Sequence, residues 1–409
     1  MKVYLVGGAV RDKLLGYPIK ERDWVVVGAT PEQLLQLGYQ QVGRDFPVFL
    51  HPETKEEYAL ARTERKSGPG YYGFKCEFHP HVSLKNDLLR RDLTINAMAM
   101  DTDGHLIDPY HGQADLQAKI LRHVSPAFTE DPVRVLRIAR FAARYHHLGF
   151  KLADETRALM YAMVKRGELT HLVAERVWQE WYRSLQEKNP EVFITTLRDC
   201  GALKIVLPEI DALFGVPNSV KYHAEIDSGV HSLMALNMAA ALSSDPMIRF
   251  AAVVHDLGKA ATPMSKWPSH IRHEVRGVAI IKELCERLRI PADYRKFAET
   301  VSRFHLSIHR LFELRAKTKI RVLEQADAFR RPYLFEKLLL ACEADARGRG
   351  FATKEYKQAD GWRHLLKECT KISAQALIAQ GYQGEAIKDA LHKQRVSCAE
   401  QIWKQNEKQ

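Results

Sequence analysis

The sequence predicts an α+β chain: a small mixed head with a β-sheet and flanking helices, then an all-helical neck, a histidine-rich helical domain and a helical tail. Three observations predict this. Val3 to Val6, Trp24 to Val27, Phe46 to Leu50 and Glu57 to Ala61 are short strand candidates, separated by Gly, Pro and charged turns. From about Pro132 onward the period changes, and Val135, Leu136, Ala139 and Phe141 open a helical pattern that recurs through the rest of the chain. Pro208, Pro217, Pro246, Pro263, Pro268, Pro291 and Pro332 then supply helix boundaries, and Asp199 to Gly215 reads as a connection between two helical modules.

At 409 residues and 46.8 kDa the chain exceeds one ordinary core, and about two to four packed modules are expected. Its 46% hydrophobic and 27% charged residues are a globular balance. A formal charge of +11 favours a polyanionic partner. Cys76, Cys200, Cys285, Cys342, Cys369 and Cys398 form no closely spaced metal-binding pairs and read as free thiols in a reducing compartment. Met1 to Val10 runs directly into two glycines, leaving no room for a signal peptide, and no apolar stretch approaches the roughly 20 residues of a bilayer span. A soluble cytoplasmic protein is expected.

Gly7 and Gly8 follow the first strand, and Arg11 comes soon after. Glycines there permit close backbone approach to a phosphate, or simply a tight turn, and neither the Walker nor the dinucleotide spacing is present. Glu21 and Asp23 are sharper. On one strand, residues two apart face the same side, and two carboxylates so placed can hold Mg²⁺. Arg62, Arg65, Lys66, Gly68, Gly70, Tyr71, Tyr72 and Gly73 read equally as a mobile loop over a nucleotide or an exposed hairpin. Arg91 is a candidate triphosphate clamp, since guanidinium matches phosphate geometry. Pro132 fits the first turn of a helix with Asp131 near its cap, and Arg134, Arg137, Arg140 and Arg144 then recur as a cationic stripe. Such a stripe is ordinarily the wet face of a helix. Here Asp131 and Arg134 could also pair and offer a donor–acceptor edge to a base, with Arg137 and Arg140 meeting phosphates.

These motifs together resemble the bacterial CCA-adding enzymes, in the tRNA nucleotidyltransferase/poly(A) polymerase family. The matching runs are Leu5-Val6-Gly7-Gly8-Ala9-Val10-Arg11-Asp12, Glu21-Arg22-Asp23, Arg90-Arg91-Asp92-Leu93-Thr94-Ile95-Asn96-Ala97, Ile107-Asp108-Pro109-Tyr110-His111-Gly112 and Glu130-Asp131-Pro132-Val133-Arg134-Val135-Leu136-Arg137. The resemblance implies that Glu21 and Asp23 hold catalytic Mg²⁺. It implies that Gly8, Arg11, Arg91, Arg137 and Arg140 bind the NTP, and that Asp131 and Arg134 read its base. CTP and ATP are the implied nucleotides, and the tRNA 3′ end with its acceptor and elbow region is the implied partner. The family usually carries Asp-x-Asp where this chain has Glu21-x-Asp23, so metal placement is expected to differ while activity persists.

A second constellation lies in the helical body: His231, His255-Asp256 and Asp327, with His270, His273, His305 and His309 nearby. One at a time these histidines read as packed or solvent-facing residues; converged, they suit a transition metal. Their order resembles an HD phosphohydrolase domain mapped to His231, His255, Asp256 and Asp327, with His270, His273 and His305 behind them as further candidates. That resemblance implies phosphatase, 2′-nucleotidase and 2′,3′-cyclic phosphodiesterase activities with Ni²⁺ or another transition metal. The expected division is a nucleotidyltransferase head over 1–140, a nucleotide- and RNA-binding neck over 141–227, the HD domain over 228–329 and a tRNA-binding tail over 330–409. Leu377 to Gly384 resembles the family tail, or is a helix-turn-helix packing unit. A monomer or homodimer is expected. The rival readings are a poly(A) polymerase, a phosphohydrolase with an inactive head, and a non-enzymatic RNA scaffold.

Overall fold

The computed structural model describes residues 1–19, 21–42, 48–66, 74–219, 227–349 and 355–406. Its strands in the head are β1 (Lys2–Val6), β2 (Asp23–Val27), β3 (Gln40–Val42), β4 (Val48–Leu50), β5 (Glu57–Leu60), β6 (Thr63–Lys66), β7 (Phe74–Glu77), β8 (Ala99–Met100) and β9 (Leu106–Ile107). Seven of them form one sheet in the order β3-β4-β5-β2-β1-β8-β9, with β2 and β5 parallel and the other neighbours antiparallel.

The Val25-Val26-Val27 run of β2 follows from its central place, because successive side chains leave opposite faces. Val25 packs with Val6, Leu88, Ala97 and Ala99 on one face, while Val26 packs with Leu34, Phe49, Tyr58 and Leu60 on the other. Both faces are therefore buried. The expected strand over Phe46 to Leu50 is described from Val48, and Phe46 lies outside the described residues. Around the basic glycine-rich stretch, β6 and β7 pair antiparallel from Thr63↔Glu77 to Lys66↔Phe74; Gly68, Gly70, Tyr71, Tyr72 and Gly73 lie outside the described residues.

Beyond the head the chain is helical, apart from a short parallel pair, β10 (Ile120–Leu121) and β11 (Lys151–Leu152). The described chain forms two compact units, Met1–Ser184 with Val192–Val206, and Leu185–Glu191 with Leu207–Gln409. One division between them, at 206/207, falls within Asp199 to Gly215, between the short helices Leu203–Val206 and Pro208–Asp211.

In the second unit, helices Ser228–Leu242, Pro246–Val254, His273–Arg287, Ala292–His309 and Pro332–Arg347 pack around one core. Close approach is built in at Gly258, where a Cβ would stand 2.0 Å from the His273 carbonyl oxygen and 2.6 Å from the Gly277 nitrogen. That contact presses the turn after His255-Asp256 onto the start of the next helix. Trp362, fully buried, packs edge-on against Phe335 at 6.0 Å and donates its Nε1–H to the Ile308 carbonyl at 3.0 Å. Trp362→Ala is expected to cost about 3–5 kcal/mol by chemical denaturation of the full chain. Among the described residues, no helix is long and apolar enough to cross a membrane.

Candidate functional site

The register of β1 and β2 builds the first site. Val6 pairs with Asp23, so the Gly7 turn leaving β1 stands beside the first residue of β2. Gly7 adopts φ +67°, and a Cβ there would come within 2.7 Å of Arg91 Nη1. Glycine is thus required for conformation and for space. Gly7→Ala is expected to lower stability by about 1–3 kcal/mol, read by urea unfolding.

Glu21 precedes β2 instead of opening it, so the two carboxylates do not lie on one strand as their spacing suggested; Asp23 alone begins the strand. Burial pushes the Asp23 carboxyl up; Arg91 opposes that shift and the Glu21 charge adds to it. A divalent cation bound to both would relieve the repulsion and the desolvation together, and one or two carboxylates plus substrate phosphates make a usual Mg²⁺ ligand set. The residues present fit the ion.

The arginines are less exposed than their stripe suggested. Arg134 and Arg140 are each 6% exposed, so the stripe is not the wet face of its helix, Val133–Tyr145. Arg140 Nε meets Glu180 Oε2 at 2.6 Å, and Arg137 Nε meets Asp92 Oδ2 at 2.8 Å. Arg137 and Asn96 more than offset the burial of Asp92, holding its carboxyl well below the usual range. Arg11 is buried between Asp12 at 2.8 Å and Asn96, with Phe141 and Tyr145 beneath its guanidinium at 5.5 and 5.4 Å. Arg91 Nη1 reaches the Asn96 carbonyl at 3.4 Å. Gly8 opens the helix Gly8–Leu14, and all of these groups lie in the same compact unit.

Asp131 and Arg134 do not pair with each other. Asp131 Oδ1 accepts the Val133 N–H at 3.1 Å, and Arg176 grips both carboxylate oxygens at 3.2 and 2.7 Å. Arg134 Nη1 donates to the Ala127 carbonyl at 2.7 Å. Sequence reading missed Arg176 and Glu180. Their only signal is the i, i+4 spacing that puts both on one face of the helix Ala174–Leu185.

The second site lies wholly in the second unit. His255, His273 and His305 each donate Nδ1–H to the carbonyl three residues earlier (Ala252, His270 and Ser302, at 2.8, 2.7 and 2.7 Å), which turns their Nε2 lone pairs inward. Those nitrogens stand 3.1, 3.1 and 3.6 Å from Asp256 carboxylate oxygens, and His273 Nε2 lies 3.2 Å from His305 Nε2. Two inward lone pairs at that separation repel unless a proton or a cation lies between them. Among the described residues, His255 Nε2 and Asp256 Oδ1, both buried, meet no partner in hydrogen-bond geometry. Burial keeps His305 well below the usual imidazole range against the pull of Asp256, which favours its neutral form. Burial alone would raise the Asp256 carboxyl, but His255 and Lys259 reverse the shift and hold it well below the usual range, ionised. The donor set suits a transition metal.

Asp327 is not in this cluster. It sits in a surface turn, its side chain 38% exposed and bound by Arg330 at 2.6 Å and Arg331 at 3.4 Å. Asp345 takes its place: only 2% exposed, it meets His231 Nε2 at 3.0 Å, His255 Nε2 at 3.6 Å and His309 Nε2 at 2.6 Å, with Arg349 behind at 3.1 Å. His231, His255, Asp256, His273 and His305 converge as the sequence suggested, and His309 joins them; His270 instead turns its Nε2 to the Pro217 carbonyl at 2.8 Å. Asp345 left a signal. It follows Leu338, Ala341 and Cys342 at helical spacing, a carboxylate on a buried apolar stripe.

Residues 3–122 match the poly A polymerase head domain family, 149–214 the probable RNA and SrmB-binding site of polymerase A, and 229–331 the HD domain family. Asp345 lies beyond the last of these. The Multifunctional CCA protein of Legionella pneumophila strain Paris is 66% identical over 411 residues, covering 100% of both chains. That of Vibrio cholerae serotype O1 strain ATCC 39541 is 58% identical, covering 98% of this chain and 100% of its own. Among solved structures, an apo CCA-adding enzyme aligns with a TM-score of 0.67 at 21% identity, covering 97% of this chain and 88% of its own. A Thermotoga maritima CCA-adding enzyme complexed with tRNA aligns at 0.60 and 20% identity, covering 99% of this chain and 91% of its own. These two share the fold.

Proposed function

This chain belongs to the family of bacterial multifunctional CCA proteins, and from that premise we propose that it adds and repairs the 3′-terminal CCA of tRNA from CTP and ATP, with its HD unit acting as a phosphohydrolase. The observation that carries the first activity is the β1–β2 register, which joins the Gly7 turn, Asp23 and Arg91 in one place.

In the reaction the 3′-hydroxyl of tRNA loses its proton to solvent, its oxygen bonds to the α-phosphorus, the bond from that phosphorus to the α,β-bridging oxygen breaks, and pyrophosphate leaves. Glu21 and Asp23 would hold Mg²⁺, and a bound ion would supply Lewis acidity at the attacking hydroxyl and offset charge on the leaving group. Gly8 admits the triphosphate close to the backbone, while Arg91, Arg11, Arg137 and Arg140 supply positive charge, the last three braced by Asp12, Asp92 and Glu180. Asp131 accepts from the exocyclic amino group of cytosine or adenine, and Arg134 donates to the adjacent ring nitrogen. Uracil and guanine present the opposite pattern and are refused.

In the HD unit, His231, His255, Asp256, His273, His305 and Asp345 are the proposed metal ligands, for Ni²⁺ or another transition metal. The phosphatase, 2′-nucleotidase and 2′,3′-cyclic phosphodiesterase activities are assigned to this cluster, supported by its inward imidazoles and ionised carboxylates. Lys259, 5% exposed and 2.7 Å from Asp256, balances their charge. Of the expected tail, the helix Pro332–Arg347 belongs with the HD core, and the segment beyond it is assigned to the tRNA elbow. Five free cysteines among the described residues fit the reducing cytoplasm. The protein acts as a monomer or homodimer.

The test supplies a tRNA lacking its terminal trinucleotide. CTP alone should extend it by two residues, CTP with ATP by three, and UTP or GTP by none. Extension by ATP alone into a long tail would replace this reading with polyadenylation.

A further inference from the structure

The helix Ala174–Leu185 holds the helix Val133–Tyr145 and the Asp131 that precedes it by two ion-pair clasps of opposite sign. Glu180, 4% exposed, takes Arg140 at 2.6 Å and stands 3.8 Å from Arg137. One turn earlier, Arg176 takes Asp131 in a two-pronged contact, Nη1 to Oδ1 at 3.2 Å and Nη2 to Oδ2 at 2.7 Å. The planar guanidinium fork fixes the plane of the carboxylate, which an ammonium cannot do.

The acceptor count of Asp131 is then informative. An ionised carboxylate offers about four lone-pair sites. Oδ1 receives the Val133 N–H at 3.1 Å and one prong of Arg176; Oδ2 receives the other prong. Among the described residues, Oδ2 receives nothing else, which leaves it one acceptor site in an orientation that Arg176 sets. Asp131 and Arg176 are partly exposed, at 18% and 29% of their side chains, so the pair lies at the surface and not in the core.

We propose that Arg176 is a positioning residue that determines nucleotide specificity: its fork aims the remaining Oδ2 acceptor of Asp131 at the exocyclic amino group of an incoming cytosine or adenine. The inference rests on the reading of Asp131 as a base-selecting residue. It adds that selection is set by the orientation of the carboxylate as well as its presence, and that the neck helix supplies the orientation. Loss of the fork frees the carboxylate to rotate. Correct bases then bind less tightly, and the wrong ones are refused less strictly, while the metal-binding carboxylates stay as they were.

The test is steady-state addition by full-length Arg176→Lys and Arg176→Gln to a tRNA lacking its terminal trinucleotide, with each NTP separately. The expected result is a KM for CTP raised about tenfold or more, kcat within about threefold, and a CTP-over-UTP preference in kcat/KM reduced by about tenfold or more. Arg176→Lys keeps the charge without the fork, so it carries the test if Arg176→Gln fails to fold; circular dichroism and hydrolysis by the HD unit report folding. An Arg176→Lys enzyme with unchanged preference overturns the proposal, as does a uniform fall in kcat for every nucleotide with KM unmoved. A wild-type enzyme that does not prefer CTP over UTP would instead overturn the base-selecting reading beneath it.

Discussion

Asp23→Asn should abolish nucleotide addition, with a fall of at least about a thousandfold in kcat/KM, while the HD unit keeps its hydrolytic activity. Asp23 is the one carboxylate placed at once at the start of β2, beside the Gly7 turn and within the field of Arg91. The metal it helps to hold contributes several kcal/mol of transition-state stabilisation, and each 1.36 kcal/mol is tenfold in rate. The substitution should leave folding intact. Burial and the Glu21 charge both disfavour the ionised carboxylate, so an uncharged amide removes a penalty, and the melting temperature should hold or rise slightly. Single-turnover addition and a thermal melt check both parts. A variant retaining a tenth of wild-type addition would place the catalytic metal elsewhere.

The second large effect separates Asp345 from Asp327. Asp345→Asn should lower hydrolysis of a 2′,3′-cyclic nucleotide by at least about a hundredfold and weaken Ni²⁺ binding measured by calorimetry, with CCA addition retained. Its carboxylate is shared among His231, His255, His309 and Arg349, and the amide keeps the shape while losing the charge. The expected magnitude follows from the metal's polarising role and from the importance of oriented ligands. Asp327→Asn should change neither measurement, because Asp327 only ties Arg330 and Arg331 in a surface turn. Reversal of these two outcomes would restore the spacing-based ligand assignment.

The contrast between those aspartates marks where sequence reasoning stops. Strand positions in the head were legible because short apolar runs alternate with Gly, Pro and charged turns, and β1, β2 and β5 formed within one residue of expectation. The start of the helix at Val133 was legible from Pro132 and the capping Asp131. The order shared with HD domains pointed to His231, His255 and Asp256, and the described residues bring these three together. The same resemblance named Asp327 and passed over Asp345, because chain order carries no burial. Only the position of Asp345 on an apolar stripe distinguishes the two, and only once the helix Pro332–Arg347 is recognised.

The arginine stripe illustrates a second limit. Helical spacing put Arg134, Arg137, Arg140 and Arg144 on one side, and solvent was the default partner for such a row. Arg137 and Arg140 instead meet Asp92 and Glu180, on other elements 45 and 40 residues away in sequence. Long-range ion pairs leave no periodic trace. Arg176 escaped for the same reason, and with it the fact that Asp131 is held from outside its own helix.

The central claim is that one head, reading bases through protein side chains, builds a defined trinucleotide. Its most direct test is to give the purified chain a tRNA that lacks the trinucleotide, with all four NTPs at equal concentration, and to sequence the 3′ ends. The account predicts ends that read CCA and stop there, with Asp23→Asn leaving the substrate unextended. Homopolymeric adenosine tails, or ends of mixed sequence and length, would contradict it.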